Sequence, residues 1–294
     1  MWVGRRRICF DLWRKFLAGA ILGGLLLTAG CAAIPNTGGR SAAQDLPIHQ
    51  ASYLYQGVSV PYEIRVPKSY RPGRFLPLVI SLHEPGMTAE QQEAITGLAG
   101  ESAGQNFFIL YPRPLEERSE WLFGQSGGEA SDLLFLLALM DHLKIIWDID
   151  PQRIYLAAMG RGAEFADALA CHPQGQFRAA ALVAGRYPQN APCAPGRIPS
   201  VLLVHGEADS QMPYAGAPGY AAVPEVFARW AALNGCAPQP DPPYRHESAA
   251  ALNWPGCRGG AEVLLFTLSG EGHTWPAHAD LQTTDLIWRF FLAH

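Results

Sequence analysis

Charge is scarce in this chain of 294 residues: Asp, Glu, Lys and Arg make up 16% of it, against roughly 25% in an average soluble protein. Together with 49% hydrophobic residues, that scarcity excludes a disordered chain, a charged coiled coil and a solenoid built on surface ion pairs. Basic clusters are missing beyond residue 15 and the net charge is −4, so no nucleic-acid partner is expected. Apolar runs of membrane-spanning length are missing too. The apolar stretch Phe16 to Gly30, which ends in small residues, has 15 residues, where a span needs about 20. Internal repeats and low-complexity segments are absent. Glycine (30) and proline (24) are plentiful and predict many tight turns and long loops.

The N-terminus reads as an address. Arg5, Arg6, Arg7, Arg14 and Lys15 precede the apolar stretch, which ends in Thr28-Ala29-Gly30-Cys31. Small residues before a cysteine let a peptidase approach the backbone and leave the thiol to accept a lipid. Residues 1–30 are therefore expected to be a lipoprotein-type signal peptide, with lipid on Cys31 as the membrane contact. A plain signal peptide, or an uncleaved anchor with Cys31 incidental, is the alternative. Ala32 stands where an Asp would suggest retention in the inner membrane, so the expected destination is the outer membrane, facing the periplasm or the cell surface. Cleavage would remove five of 22 basic and one of 26 acidic residues, leaving 17 and 25, formally −8. Residues 31–51 are small, polar and rich in Pro and Gly, as a flexible tether is.

Six cysteines become four once Cys9 is cleaved off and Cys31 is lipidated. Cys171, Cys193, Cys236 and Cys257 allow three pairings in an oxidising compartment. Proximity favours Cys171–Cys193 and Cys236–Cys257, each closing a loop of about 20 residues and contributing about 3 kcal/mol through the unfolded state.

From Tyr53 onward, short apolar runs bounded by turn residues alternate with helical stretches. YLYQGVSVPYEIRVP predicts an antiparallel start. Leu78–Leu82, Phe107–Tyr111, Ile154–Ala158, Ala179–Val183, Val201–Val204 and Val263–Phe266 predict buried parallel strands. Helices are expected from Thr88 towards Gln105, and over Ser131–Trp147, Gly162–Ala170, Pro224–Leu233 and Leu281–Leu292. This alternation predicts one α/β domain over residues 52–293, with a mostly parallel sheet and helices on both faces.

Ligands of such sheets bind at the carboxyl ends of the strands. Three ends carry chemistry: His83-Glu84-Pro85-Gly86, His205-Gly206-Glu207-Ala208-Asp209, and Gly270-Glu271-Gly272-His273-Thr274-Trp275. An acid after a late strand followed by a histidine after the last strand matches the order of a hydrolase triad, the carboxylate fixing the imidazole's tautomer. The spacing of His83, Glu84, His205 and Asp209 fits no common zinc pattern, and no metal or cofactor is expected. His83, and Trp275 beside His273, are candidates to line a ligand cleft.

The segments YEIRVPKSY, PLVISLH, DIDPQRIYLAAMGRGAEFADALACHP, HGEADSQMPYAG and GEGHTWP resemble the polyhydroxybutyrate depolymerase and feruloyl esterase group of secreted α/β-hydrolases over about residues 50–292. The resemblance implies an α/β-hydrolase fold, Asp209 as triad acid, His273 as triad base, and bridges at the cysteine pairs that proximity favours. It departs at the nucleophile. Where the group carries G-x-S-x-G, this chain has Ala158-Met159-Gly160-Arg161-Gly162, with Gly160 at the serine position. Glycine suits the strained turn but offers no hydroxyl. The oxyanion region, Glu84 and Pro85 with Arg161 after the turn, departs as well. Pro85 has no N–H, and Glu84 brings a carboxylate to where negative charge would develop. A literal G-x-S-x-G occurs at Gly124–Gly128, but no buried strand precedes Ser126.

Two functions stay open. One is a non-catalytic protein that keeps a cleft for an ester, polyester or glycan ligand. The other is a carboxyl-ester hydrolase using Ser126, or water activated by His273 and Asp209. On the first reading His273 Nε2 faces an empty space, and Gly160→Ser would put a hydroxyl into it.

Overall fold

The computed structural model describes residues 48–100, 106–115, 120–123, 131–278 and 281–294. The signal peptide, Cys31, most of the tether and Ser126 lie outside the described residues.

Ten strands form one sheet: β1 (Ile48–Tyr55), β2 (Val58–Arg65), β3 (Leu76–Leu82), β4 (Phe108–Pro112), β5 (Ile149–Met159), β6 (Ala179–Val183), β7 (Ser200–Gly206), β8 (Tyr244–His246), β9 (Ala249–Trp254) and β10 (Val263–Leu268). Their spatial order is β1-β2-β4-β3-β5-β6-β7-β10-β9-β8. The six central strands, β4 to β10, run parallel. The β1–β2 hairpin and the β8–β9 hairpin add antiparallel edges at the two ends. β1 begins at Ile48, so it takes up residues 48–51 that the sequence assigns to the tether. The β8–β9 hairpin is not foreseen by the sequence pattern: its Ala249–Trp254 strand is alanine-rich and lacks a clean alternation.

Every residue of β3, β4, β6 and β7 is buried, because helices cover both faces of the sheet and leave no strand face for water. Among the described residues the helices that do this include α1 (Ala89–Thr96), α2 (Asp132–Ile146), α3 (Gly160–Ala170), α4 (Val223–Leu233) and α5 (Thr283–Ala293). Alternation along β5 divides them. Ile154, Leu156 and Ala158 join the large core beneath α2, α3 and α4. Tyr155, between them, turns to the other face and stacks on Phe291 of α5 with ring centroids 4.7 Å apart. Thr88 caps α1 through a reciprocal box with Gln91; a left-handed Gly97 interrupts the helix, helical backbone resumes at residues 98–100, and residues 101–105 lie outside the described residues. Ser131 caps α2 by accepting from Leu133 N at 3.2 Å.

Disulfides join Cys171 to Cys193 and Cys236 to Cys257. Among the described residues, no helix is long and apolar enough to cross a membrane.

Candidate functional site

Three strand ends meet at the carboxyl edge of the sheet. Asp209 follows β7 in a turn of its own making. Its Oδ1 accepts from Gln211 N at 2.9 Å and Met212 N at 2.8 Å, an arrangement short acidic side chains favour. Its side chain is fully buried, and Oδ2 lies 2.8 Å from His273 Nδ1. His273 comes from the loop after β10, which is stitched to the β7 loop by Glu207 N to Leu268 O and Ala208 N to Glu271 O, both 2.9 Å. His205 backs the pair: its Nε2 donates to Met212 O at 2.7 Å. Burial pulls the His205 pKa below the ordinary imidazole value.

Gly160 follows β5 directly and opens α3 with φ +56, a conformation that costs glycine little and other residues about 1–3 kcal/mol. Gly160 thus accommodates a sharp strand-to-helix turn. Gly162, two residues on, lets α3 lie against β3: a β-carbon there would collide with the carbonyl oxygens of Leu82 and His83.

The space over Gly160 is not empty. A β-carbon at Gly160 would overlap the Glu84 carboxylate. Glu84 Oε1 is 2.7 Å from His273 Nε2, so one imidazole bridges Glu84 and Asp209. The loop after β3 aims this carboxylate. Met87 N donates to Glu84 O at 3.2 Å, with Pro85 and Gly86 (φ +75) between them, the arrangement of a type II turn. His83 Nδ1 donates to Glu84 O at 2.7 Å, and Trp121 Nε1 to His83 O at 2.9 Å. The carboxylate thus rests at the N-terminal end of α3, where unpaired N–H groups and the helix dipole favour an anion. Burial works against a charged His273, but its hydrogen bonds to Glu84 and Asp209 and their charges outweigh that, and the pKa is raised.

The other sequence candidates have these places. His83 is buried, its pKa lowered by burial, its ring 5.0 Å from that of Trp121. Trp275 is 6% exposed and donates to Thr284 Oγ1 at 3.0 Å. Both act as struts behind the site rather than as an open cleft wall. Pro85 stands in the turn that orients Glu84. Arg161 turns its side chain away from Glu84: Nη1 is 2.8 Å from Glu164 Oε2, and Nη2 is 3.7 Å from Glu120 Oε2. Arg186 joins the same Glu164 oxygen through Nε at 3.3 Å. Burial raises the Glu164 pKa, and the two guanidinium groups pull it back in part. Sequence reasoning passes over Glu164 and Arg186. The i,i+3 spacing of Arg161 and Glu164 is a visible signal, whereas Arg186 reaches them only through the fold. Among the described residues, no group of three or more His, Cys, Asp and Glu side chains is placed to hold a metal ion.

No protein-family model matches the chain. It is 24% identical over 249 residues to a bifunctional acetylxylan esterase/xylanase of Neocallimastix patriciarum, covering 80% of this chain and 33% of that protein. It is 22% identical over 227 residues to feruloyl esterase B of Piromyces equi, covering 71% and 42%. The chain thus spans less than half the length of either of these curated relatives. Among solved structures, acetyl xylan esterase from Aspergillus awamori matches with a TM-score of 0.63 at 15% identity, covering 83% of this chain and 99% of that one.

Proposed function

Starting from an α/β-hydrolase fold with esterases among its relatives, we propose that this chain is an exported, lipid-anchored pseudoenzyme of the depolymerase and feruloyl esterase type. It binds an ester, polyester or glycan ligand without hydrolysing it. The observation that carries the reading is the 2.7 Å contact between Glu84 Oε1 and His273 Nε2 above Gly160. A general base needs a free lone pair on the nitrogen that faces the nucleophile. Here that nitrogen is committed to a carboxylate. The nucleophile position has no hydroxyl, and an anion already sits where the reaction would build negative charge. In subtilisin, loss of the serine alone lowers kcat by about 10⁶, and what remains over water comes largely from the oxyanion hole. This site has lost both contributions. Two disulfides suit the oxidising compartment that export implies.

The test is hydrolysis of 4-nitrophenyl acetate. Wild type is expected to show no turnover above buffer. Gly160→Ser alone is expected to stay inactive, because the serine and the Glu84 carboxylate claim one space. The double variant Gly160→Ser, Glu84→Gly frees both the space and His273 Nε2, and a measurable acyl-enzyme burst is expected from it. Robust wild-type turnover overturns the reading. Its loss in Ser126→Ala would move the nucleophile to that serine. Its loss in His273→Ala but not in Ser126→Ala would assign the chemistry to activated water.

A further inference from the structure

Beside the Glu84 site, two arginines converge on a single carboxylate. Arg161 extends from the first turn of α3, and Arg186 follows the end of β6 by three residues. Both hold Glu164 Oε2, whose side chain is only 6% exposed, while theirs are 20% and 33% exposed. One carboxylate balances one guanidinium, so the second positive charge is left over. Glu120, the other acidic neighbour, is 60% exposed and 3.7 Å away, a distance and exposure at which an ion pair contributes little.

Arg186 is held in an orientation. Its Nε is spent on Glu164, and its Cζ lies over the Tyr220 ring at 4.5 Å from the centroid. Among the described residues its two terminal amines have no hydrogen-bond partner. An arginine fixed through Nε and one face keeps the edge that matches a carboxylate bidentately, and it loses little entropy on binding one. Arg161 lies over Phe123 at 5.7 Å, so aromatic surface flanks both cations. The group occupies the carboxyl ends of β5 and β6, one helical turn from Gly160, on the edge of the sheet where such folds take their ligands.

We propose that Arg186 and Arg161, oriented by Glu164 and Tyr220, form a carboxylate-binding subsite, and that the ligand of this protein carries a free carboxylate. The proposal rests on the reading that this rim binds a ligand, and it supplies the ligand's chemical class. The carboxylate has two possible sources, an aryl or alkyl acid and an acidic sugar. Arg186 receives its outer edge and Arg161 adds long-range attraction.

The test uses the purified whole chain and ligand-observed NMR with two matched pairs: benzoate against benzamide, and galacturonate against galactose. At least one carboxylate is expected to bind at least tenfold more tightly than its uncharged counterpart, and to weaken when salt is raised from 0.05 to 0.5 M. Arg186→Ala is expected to abolish that preference. Arg186→Lys keeps the charge without the fork and is expected to lose less. Tyr220→Leu removes the platform without touching an ion pair, and serves if Arg186→Ala does not fold. A preference for benzoate alone assigns an aryl or alkyl acid, and one for galacturonate alone an acidic sugar. Equal binding within both pairs, no binding of either carboxylate, or a preference unchanged in the Arg186 and Tyr220 variants overturns the proposal. Ester turnover by wild type would overturn the non-catalytic reading and leave this subsite standing, so the two failures are distinct.

Discussion

An imidazole that meets a carboxylate at each nitrogen needs a proton on both, and His273 meets Asp209 at Nδ1 and Glu84 at Nε2. Only the imidazolium has two N–H donors; the neutral ring would turn a lone pair towards one of the anions. The raised pKa of His273 is the thermodynamic side of the same geometry. Its sign gives the pH dependence. The folded value lies above the unfolded one of about 6.5, so the contribution to stability is fully present below that pH and is lost as pH rises through the folded value. Glu84→Gln removes one anion. Ring-proton NMR is expected to show the His273 titration move down in that variant. The stability advantage of wild type over Glu84→Gln, measured by urea denaturation, is expected to shrink between pH 6 and pH 9. A difference that stays constant over that range would mean that His273 is neutral and Glu84 merely adjacent. At this scale the sequence made Glu84 legible as an acid at a strand end that carries candidate chemistry. That Glu84 pairs with His273, 189 residues away, was not legible.

At the scale of elements, the site depends on how closely α3 approaches β3. Gly162 sets that distance, since a β-carbon there meets backbone oxygens that cannot swing aside. Gly162→Ala is expected to cost about 1–3 kcal/mol, the usual range for overpacking a close contact, read as a lower urea midpoint with an unchanged slope. A midpoint equal to wild type would show that α3 can shift without penalty. The strand and helix pattern was legible because its causes are local: apolar runs too short for helices, and Thr88 and Ser131 as caps. The break at Gly97 was missed because apolar periodicity persists across a left-handed residue, with helical backbone again at residues 98–100. The β8–β9 edge was missed because small residues in a strand carry little pattern, and pairing along β10 decides their conformation.

At the scale of the whole molecule, the two bridges each close a short loop, Cys171 to Cys193 after α3 and Cys236 to Cys257 after α4. Both fasten the connections that leave those helices. The chain ahead of Ile48 carries the proposed lipid site. Cys31→Ala is expected to lose the lipid label and leave the membrane fraction on cell fractionation. A variant that stays in the membrane with its N-terminus uncleaved would identify residues 16–30 as an anchor instead.

By itself the sequence determined the fold class, the cysteine partners favoured by proximity, the acid and histidine at the strand ends, and a glycine at position 160, where the proposed reading expects a serine. Each of these is written in local patterns: periodicity, spacing and residue type. Only the tertiary structure decided what fills the space over Gly160. A glycine leaves a volume, and the sequence cannot say whether water, ligand or a neighbouring side chain takes it. The Glu84 turn, the turn at Gly160 and the His273 loop come from three separate strands, and their register in the sheet places one carboxylate between His273 and the glycine. The same register brings Arg186 to Arg161 and Glu164, because parallel neighbours β5 and β6 end side by side.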